Sequence, residues 1–284
     1  MTGALHCKSL SDDIDFHMDP PPAAMTDILR VHEWSYVRHI QYKCEELSED
    51  PDAEDGIGHW DSDTAICHDT YQAALYAAGA SCHAIDKVLL GGYKNAFCAV
   101  RPPGHHAGPR GTVKTEKGGD SNGFCIFNNA SISASYAMTK YRETIKRVAI
   151  VDFDVHHGNG TEETVRWLRP GTDVTPILCD HSFGKVEVPR FKPWFSDNDT
   201  DNVLFVSVHG YGPKDAEVAA SLAAEIESRR QAADGEAAGG GVDTLSALNV
   251  PRFYPGTGAT VLPVGLPKRV LGKHVDHWNA IYLT

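Results

Sequence analysis

Apolar positions along this chain change period several times. From Asp69 onward Tyr71, Leu75, Ala78, Cys82, Ile85 and Leu89 recur at steps of four and three, which puts them on one face of a helix. Gly91-Gly92 supplies its stop. Asn95 to Val100 (NAFCAV) is a short apolar run that fits a buried strand. Residues 101–123 hold six Gly and three Pro and read as one long loop, a feature that is usually functional inside a compact domain. Asn128 to Tyr141 reads as a helix with Asn128 as its cap. Val148–Val151 and Val203–Val208 are unbroken apolar runs, the pattern of central parallel strands buried on both faces.

Strands separated by helices imply an α/β fold, one domain with a mostly parallel sheet flanked by helices. Residues 1–60, with Pro20-Pro21-Pro22 and an acidic run from Glu46 to Asp55, read as an irregular N-terminal segment. The domain is expected over residues 61–284. Asp180 to Asp201 reads as loop, and residues 213–250, with an Ala/Glu-rich run that gives out in Gly239-Gly240-Gly241, as an insertion outside the core.

Composition narrows the function classes. The chain of 284 residues is 42% apolar and 23% charged, enough for a sizeable core. No window is long and apolar enough for a membrane helix, and residues 1–20 lack the apolar stretch of a secretory signal. A net charge of −12 argues against broad nucleic-acid or anionic-membrane binding and suits cationic substrates. Seven scattered cysteines with no CxxC argue for reduced thiols rather than a disulfide framework.

Two clusters carry the chemistry, each directly after an apolar run. In Arg101-Pro-Pro-Gly-His-His-Ala107, His105 and His106 are placed to act as an acid/base pair at the carboxyl end of a strand. Taken alone, the pair reads rather as a stiff loop with two exposed histidines. In Asp152-Phe-Asp-Val-His-His-Gly-Asn-Gly160, Asp152, Asp154 and His156 alternate, so a continuing strand points all three to one side. An O,N donor set of this kind suits zinc or another divalent metal, with the remaining carboxylate orienting a histidine. Gly123-Phe-Cys-Ile-Phe-Asn-Asn129 offers Phe124 as the lining of an apolar channel, and Phe253-Tyr-Pro-Gly-Thr-Gly258 offers an aromatic pair before a tight turn. Read singly, these last two are a core aromatic and a turn.

In the order RPPGHHA, GFCIFNN, DFDVHHGNG, SVHG, FYPGTG, these segments resemble the zinc-dependent histone deacetylase family, its class II branch more than class I. RPPGHHA and Asn159 carry the class II likeness, and the resemblance spans about residues 69–209 and then 252–258. It implies an arginase/deacetylase-like fold. Asp154 and His156 match two zinc ligands, and His105 and His106 the tandem histidines, His106 as general base and acid. Asp152 matches the carboxylate supporting His105, and Asn159 takes the corresponding place beside His106. Gly123, Phe124 and Tyr254 match walls of an acetyl-lysine tunnel. The backbone at Asp152, Asp154 and His156, with Ser207 and Val208, matches a monovalent-cation (K+) site.

The family's third zinc ligand, an Asp in a Ser-Ala-Gly-Phe-Asp-like motif, and its oxyanion Tyr have no counterpart after Gly258; Asp276 is the nearest substitute. The sheet is therefore expected to be incomplete on its C-terminal side. Three readings stay open: a lysine deacetylase, a small-molecule amidohydrolase of the acetylpolyamine type, and a catalytically dead binding module. Implied partners are acetylated lysine in histones or other proteins and corepressor-type proteins, without sequence-specific nucleic-acid binding or membrane. The resemblance implies a nuclear or cytoplasmic location.

Overall fold

Two helices stand where an irregular segment was expected. Helix α1 (Met25–Val31) and helix α2 (Trp34–Glu45) bury Ile28, Val31, Tyr36, Val37, Ile40 and Cys44. Val37, Ile40 and Cys44 follow a three-then-four step, so a helical face exists in the sequence. Exposed Arg38 and His39 and half-buried Gln41 dilute it, and the triple proline and acidic run on either side read as loop. The computed structural model describes residues 14–113, 121–179, 182–208 and 280–283; for 175–179, 182, 183 and 280–283 only the backbone is described.

An antiparallel pair, β1 (Ile57–His59) and β2 (Ala65–Cys67), follows, and its turn carries Asp61, Asp63 and Thr64. Helix α3 (Thr70–Leu90) spans the expected periodic stretch and stops at Gly91. Its most buried residues are small, including Ala74, Ala77, Ala78 and Cys82, which lets it lie close to its neighbours. Strand β3 (Asn95–Cys98) pairs in parallel with Ala280–Leu283, here β10. It is less buried than expected, with Phe97 exposed. The long loop contains one short hairpin, β4 (Ala107–Gly108) with β5 (Gly111–Thr112). Helix α4 (Asn129–Lys140) opens as expected, the Asn128 carboxamide oxygen accepting from the Ser131 amide at 3.0 Å.

Strand β6 (Val148–Asp152) leads to helix α5 (Asn159–Arg166). Then come β7 (Gly171–Cys179) and β8 (Ser182–Arg190), an antiparallel hairpin over part of the stretch expected to be loop. Strand β9 (Val203–Ser207) pairs in parallel with β6, Val148 opposite Val203 and Asp152 opposite Ser207.

The β6–β9 pair corrects the expectation of burial on both faces. Val148, Ile150 and Val203 pack against the core, where α4 lies over β6 and α5 over β9. Ala149, Val151, Leu204 and Val206 on the other face are exposed among the described residues. A run of β-branched residues does not by itself say how many faces are covered. The core centres on Phe127, whose ring meets those of His32, Tyr36 and Tyr71 at centroid distances of 5.4, 6.3 and 6.0 Å. Burying a side chain of this size contributes roughly 1.5–3 kcal/mol. The same cluster takes in residues of α1 and α2, so residues 25–45 share one core with the rest of the domain. The expected insertion at 213–250 lies outside the described residues.

Candidate active site

The period-two alternation of β6 places Asp152 on the core side with Val148 and Ile150, at the carboxyl end of the strand. The strand stops there instead of continuing through His156, so a shared strand face does not align the two later residues. Local hydrogen bonds hold the turn. The Asp154 amide donates to Asp152 Oδ1 at 3.1 Å, and the His156 amide to Asp154 Oδ2 at 2.7 Å.

The histidine loop is pinned from two sides. The Asn128 and Asn129 carboxamides donate to the Ala107 and Pro102 carbonyls at 3.0 and 3.1 Å. The Thr161 amide of α5 donates to the His105 carbonyl at 3.0 Å. Gly160 allows this approach, because a Cβ there would overlap the backbone of His106 and Ala107. The result brings together residues about fifty apart in the chain. His105 Nδ1 lies 2.9 Å from Asp152 Oδ2, and His106 Nδ1 lies 2.8 Å from Asn159 Oδ1. The two rings stand 4.0 Å apart between centroids, and the His156 ring is 6.0 Å from that of His106.

The histidines differ in environment. His105 is partly exposed and faces a carboxylate; His106 is 2% exposed and faces a neutral amide. Burial, with the adjoining His105 next, pushes the His106 imidazole down to about 4, against the opposing hydrogen bond to Asn159. Asn159 Oδ1 also accepts from the Gly160 amide at 3.0 Å, which fixes the orientation of the carboxamide. His106 is therefore a neutral ring with its proton on Nδ1 and its lone pair on Nε2.

Asp154 and His156 are each about half exposed, with Oδ2 and Nδ1 3.2 Å apart. One carboxylate oxygen beside one imidazole nitrogen is the O,N chemistry that zinc accepts, and the pair fits as two ligands of such an ion. Among the described residues no group of three His, Cys, Asp or Glu is arranged to hold a metal. Ser207 and Val208 lie beside Asp152, the Val208 amide donating to the Asp152 carbonyl at 2.8 Å. Gly123 and Phe124 form an exposed corner, with φ of 52° and 67°. The adjoining Cys125 thiol, pushed up to about 12 by burial, faces the backbone of His106. Tyr254 and Asp276 lie outside the described residues.

Several contributing residues carry no sequence motif. His32 bridges Gly108 and Asn128, its Nδ1 2.9 Å from the Gly108 carbonyl and its Nε2 accepting the Asn128 amide at 2.9 Å. Asp63 accepts from the Ser121 and Thr64 hydroxyls; burial raises its carboxyl, but these hydrogen bonds, with Asp61 between them in weight, hold it below the usual range. A lone His or Asp in a loop gives no signal that could have singled out either residue.

A family model of the histone deacetylase domain matches residues 2–216. The chain is similar to Type-2 histone deacetylase 2 of Dictyostelium discoideum, 36% identical over 173 residues, 53% of this chain and 10% of that protein. It is similar to polyamine deacetylase HDAC10 of Rattus norvegicus, 36% identical over 135 residues, 48% of this chain and 20% of that protein. Among solved structures it is similar to the HDA15 HD domain, with a TM-score of 0.52 and 25% identity, over 74% of this chain and 46% of that one. The aligned part thus spans a fifth or less of these two curated relatives and under half of the solved domain.

Proposed function

We propose, from the premise that this chain belongs to the histone deacetylase family, that it hydrolyses the amide of acetylated lysine. One observation carries the reading: two adjacent histidines, one on a carboxylate and one on a neutral amide, meet the Asp154–His156 pair at the end of a strand. His106 is the base, because it is neutral and its Nε2 bears the lone pair that takes a proton from water. The same nitrogen returns that proton to the departing lysine amine. Asp152 holds His105 in place, and burial first, then the adjoining His105, keeps His106 unprotonated. Asp154 and His156 hold the metal, and bound zinc supplies Lewis-acid polarisation of the amide carbonyl and of the attacking water. Gly123, Phe124 and Tyr254 line the channel for the lysine chain. The backbone around Asp152, Asp154, His156, Ser207 and Val208 holds a monovalent cation, K+ in the family.

The substrate is acetyl-lysine in histones or other proteins, and corepressor-type proteins are the expected partners. A second reading, an acetylated polyamine as substrate, is favoured by the net charge of −12 and by likeness to a polyamine deacetylase. We place the protein in nucleus or cytoplasm; no helix among the described residues is long and apolar enough to cross a membrane.

The test is turnover of an acetyl-lysine peptide and of an acetylated polyamine by the full chain with zinc added, beside His106→Ala. Loss of a general base lowers the rate by about 10²–10⁴. Turnover that survives His106→Ala overturns the mechanism. Peptide binding without turnover assigns the chain as a binding module instead, and the ratio of the two specificity constants decides the substrate.

A further inference from the structure

Among the described residues Phe124 is the one non-glycine with positive φ, 67°, and Gly123 before it has 52°. A bulky residue holds this conformation only where its surroundings over-determine it. Here the turn between β1 and β2 does so. The Phe124 amide donates to Thr64 Oγ1 at 3.1 Å, and the Asn122 amide to Asp61 Oδ2 at 2.6 Å. The Gly123 amide donates to Ser121 Oγ at 2.9 Å, and that hydroxyl is itself bonded to Asp63 Oδ1. Asp61 Oδ1 accepts the Thr64 amide at 2.9 Å, and the Thr64 hydroxyl donates to Asp63 Oδ1 at 3.2 Å. The amides at 122 and 124 are thus held directly by the turn, and the amide at 123 through Ser121, whose hydroxyl bonds to Asp63 of that turn.

The side chains divide sharply. Thr64 is 1% exposed, whereas Phe124 is 53% exposed. Core packing does not account for a strained backbone that presents its ring to solvent. The next residue, Cys125, is buried against the backbone of His106, so the corner and the base are parts of one rigid unit.

We infer that Thr64, held by Asp61, is a positioning residue that fixes the Phe124 ring beside His106 as the wall on which the alkyl chain of the substrate packs. This rests on the function proposed above. It differs from that reading in assigning substrate placement to two residues of a remote hairpin turn.

The experiment compares Thr64→Val, which keeps the shape and removes the acceptor, with Thr64→Ser, which keeps the hydroxyl, in the full chain. Amide hydrogen exchange reads the clamp directly. Thr64→Val should speed exchange at Phe124 by about tenfold or more while the α4 amides keep their protection, and Thr64→Ser should stay within about twofold of the parent. In zinc-supplemented turnover of an acetyl-lysine peptide, Thr64→Val should raise KM about tenfold with kcat within about threefold, and Thr64→Ser should restore KM. If Thr64→Val loses protection throughout, Ser121→Ala decides, with faster exchange at Gly123 expected. Unchanged exchange at Phe124, or at Gly123 in that second variant, overturns the clamp. Faster exchange with unchanged KM overturns its role in substrate placement. A parent chain without turnover refutes the proposed function alone, and the clamp then stands or falls on exchange.

Discussion

His106 Nδ1 and Asn159 Oδ1 stand 2.8 Å apart, both residues buried, across 53 positions of chain. A carboxamide in this place orients the ring without offering it a negative charge. The neighbouring pair is built the other way, with the Asp152 carboxylate 2.9 Å from His105 Nδ1. The two histidines are therefore electrostatically unequal; burial, with His105 next, pushes His106 down to about 4, and no facing carboxylate offsets it.

Replacing that amide by a carboxylate tests this reading. Asn159→Asp should shift the acid limb of the pH–rate profile upward by about 1–2 units, since a charge in hydrogen-bond contact favours the imidazolium. A titration of His106 by NMR should show the same direction. An unmoved acid limb in a folded variant would mean that His106 is not the titrating base.

The site also depends on a residue with no side chain. A Cβ at Gly158 would overlap Asp152 Oδ2, the oxygen that meets His105. Gly158→Ala should push the carboxylate off His105 and lower turnover by about ten- to a hundredfold, the scale of a 1 Å misplacement. Asp152→Asn should reproduce the loss without the steric change. Full activity in Gly158→Ala would show that the His105–Asp152 contact is dispensable.

Asp154 and His156 are assigned to the metal, and that assignment can be tested without turnover. Asp154→Ala should weaken zinc binding by the full chain at least about tenfold, because it removes one of a small set of protein ligands. Competition with a chelating dye reads this directly. Equal affinity in parent and variant would place the metal elsewhere.

The chemistry of this site was legible because it is written in short contiguous segments that follow strands. RPPGHHA and DFDVHHGNG each carry several functional side chains, and the fold joins them through the ends of β6 and α5. The helices α3 and α4 were legible from period and cap. The hairpin β7–β8 was not, since the valines among its described side chains, Val174, Val186 and Val188, are exposed rather than set on a buried face. Burial of β6 and β9 on one face was missed because an apolar run carries no record of which side is covered. His32 and Thr64 were missed for another reason. Each acts through hydrogen bonds to residues distant in sequence, and such bonds depend on tertiary placement that local pattern does not encode.

His32 gives the clearest prediction on stability. It is fully buried, and burial, aided by Lys192, pushes its imidazole down to about 3 against the hydrogen bond to Gly108. Its Nδ1 faces the Gly108 carbonyl, and its Nε2 accepts the Asn128 amide, so only the neutral ring satisfies both. His106 likewise stays neutral down to about 4. An unfolded histidine titrates near 6.5, so between about pH 6.5 and 4 the unfolded chain binds protons that the native chain refuses. Stability should therefore fall as pH drops through that window, by up to about 1.4 kcal/mol per pH unit for each of the two rings, and be insensitive to them above it. Urea unfolding at pH 7 and pH 5 measures the difference. His32→Leu should cost about 2–4 kcal/mol at pH 7, because it leaves the Gly108 carbonyl and the Asn128 amide buried without their partner. It should also remove one proton from the slope between pH 6.5 and 5. A variant that loses stability but keeps the parent slope would show that His32 is protonated in the native state, contrary to the geometry at Asn128.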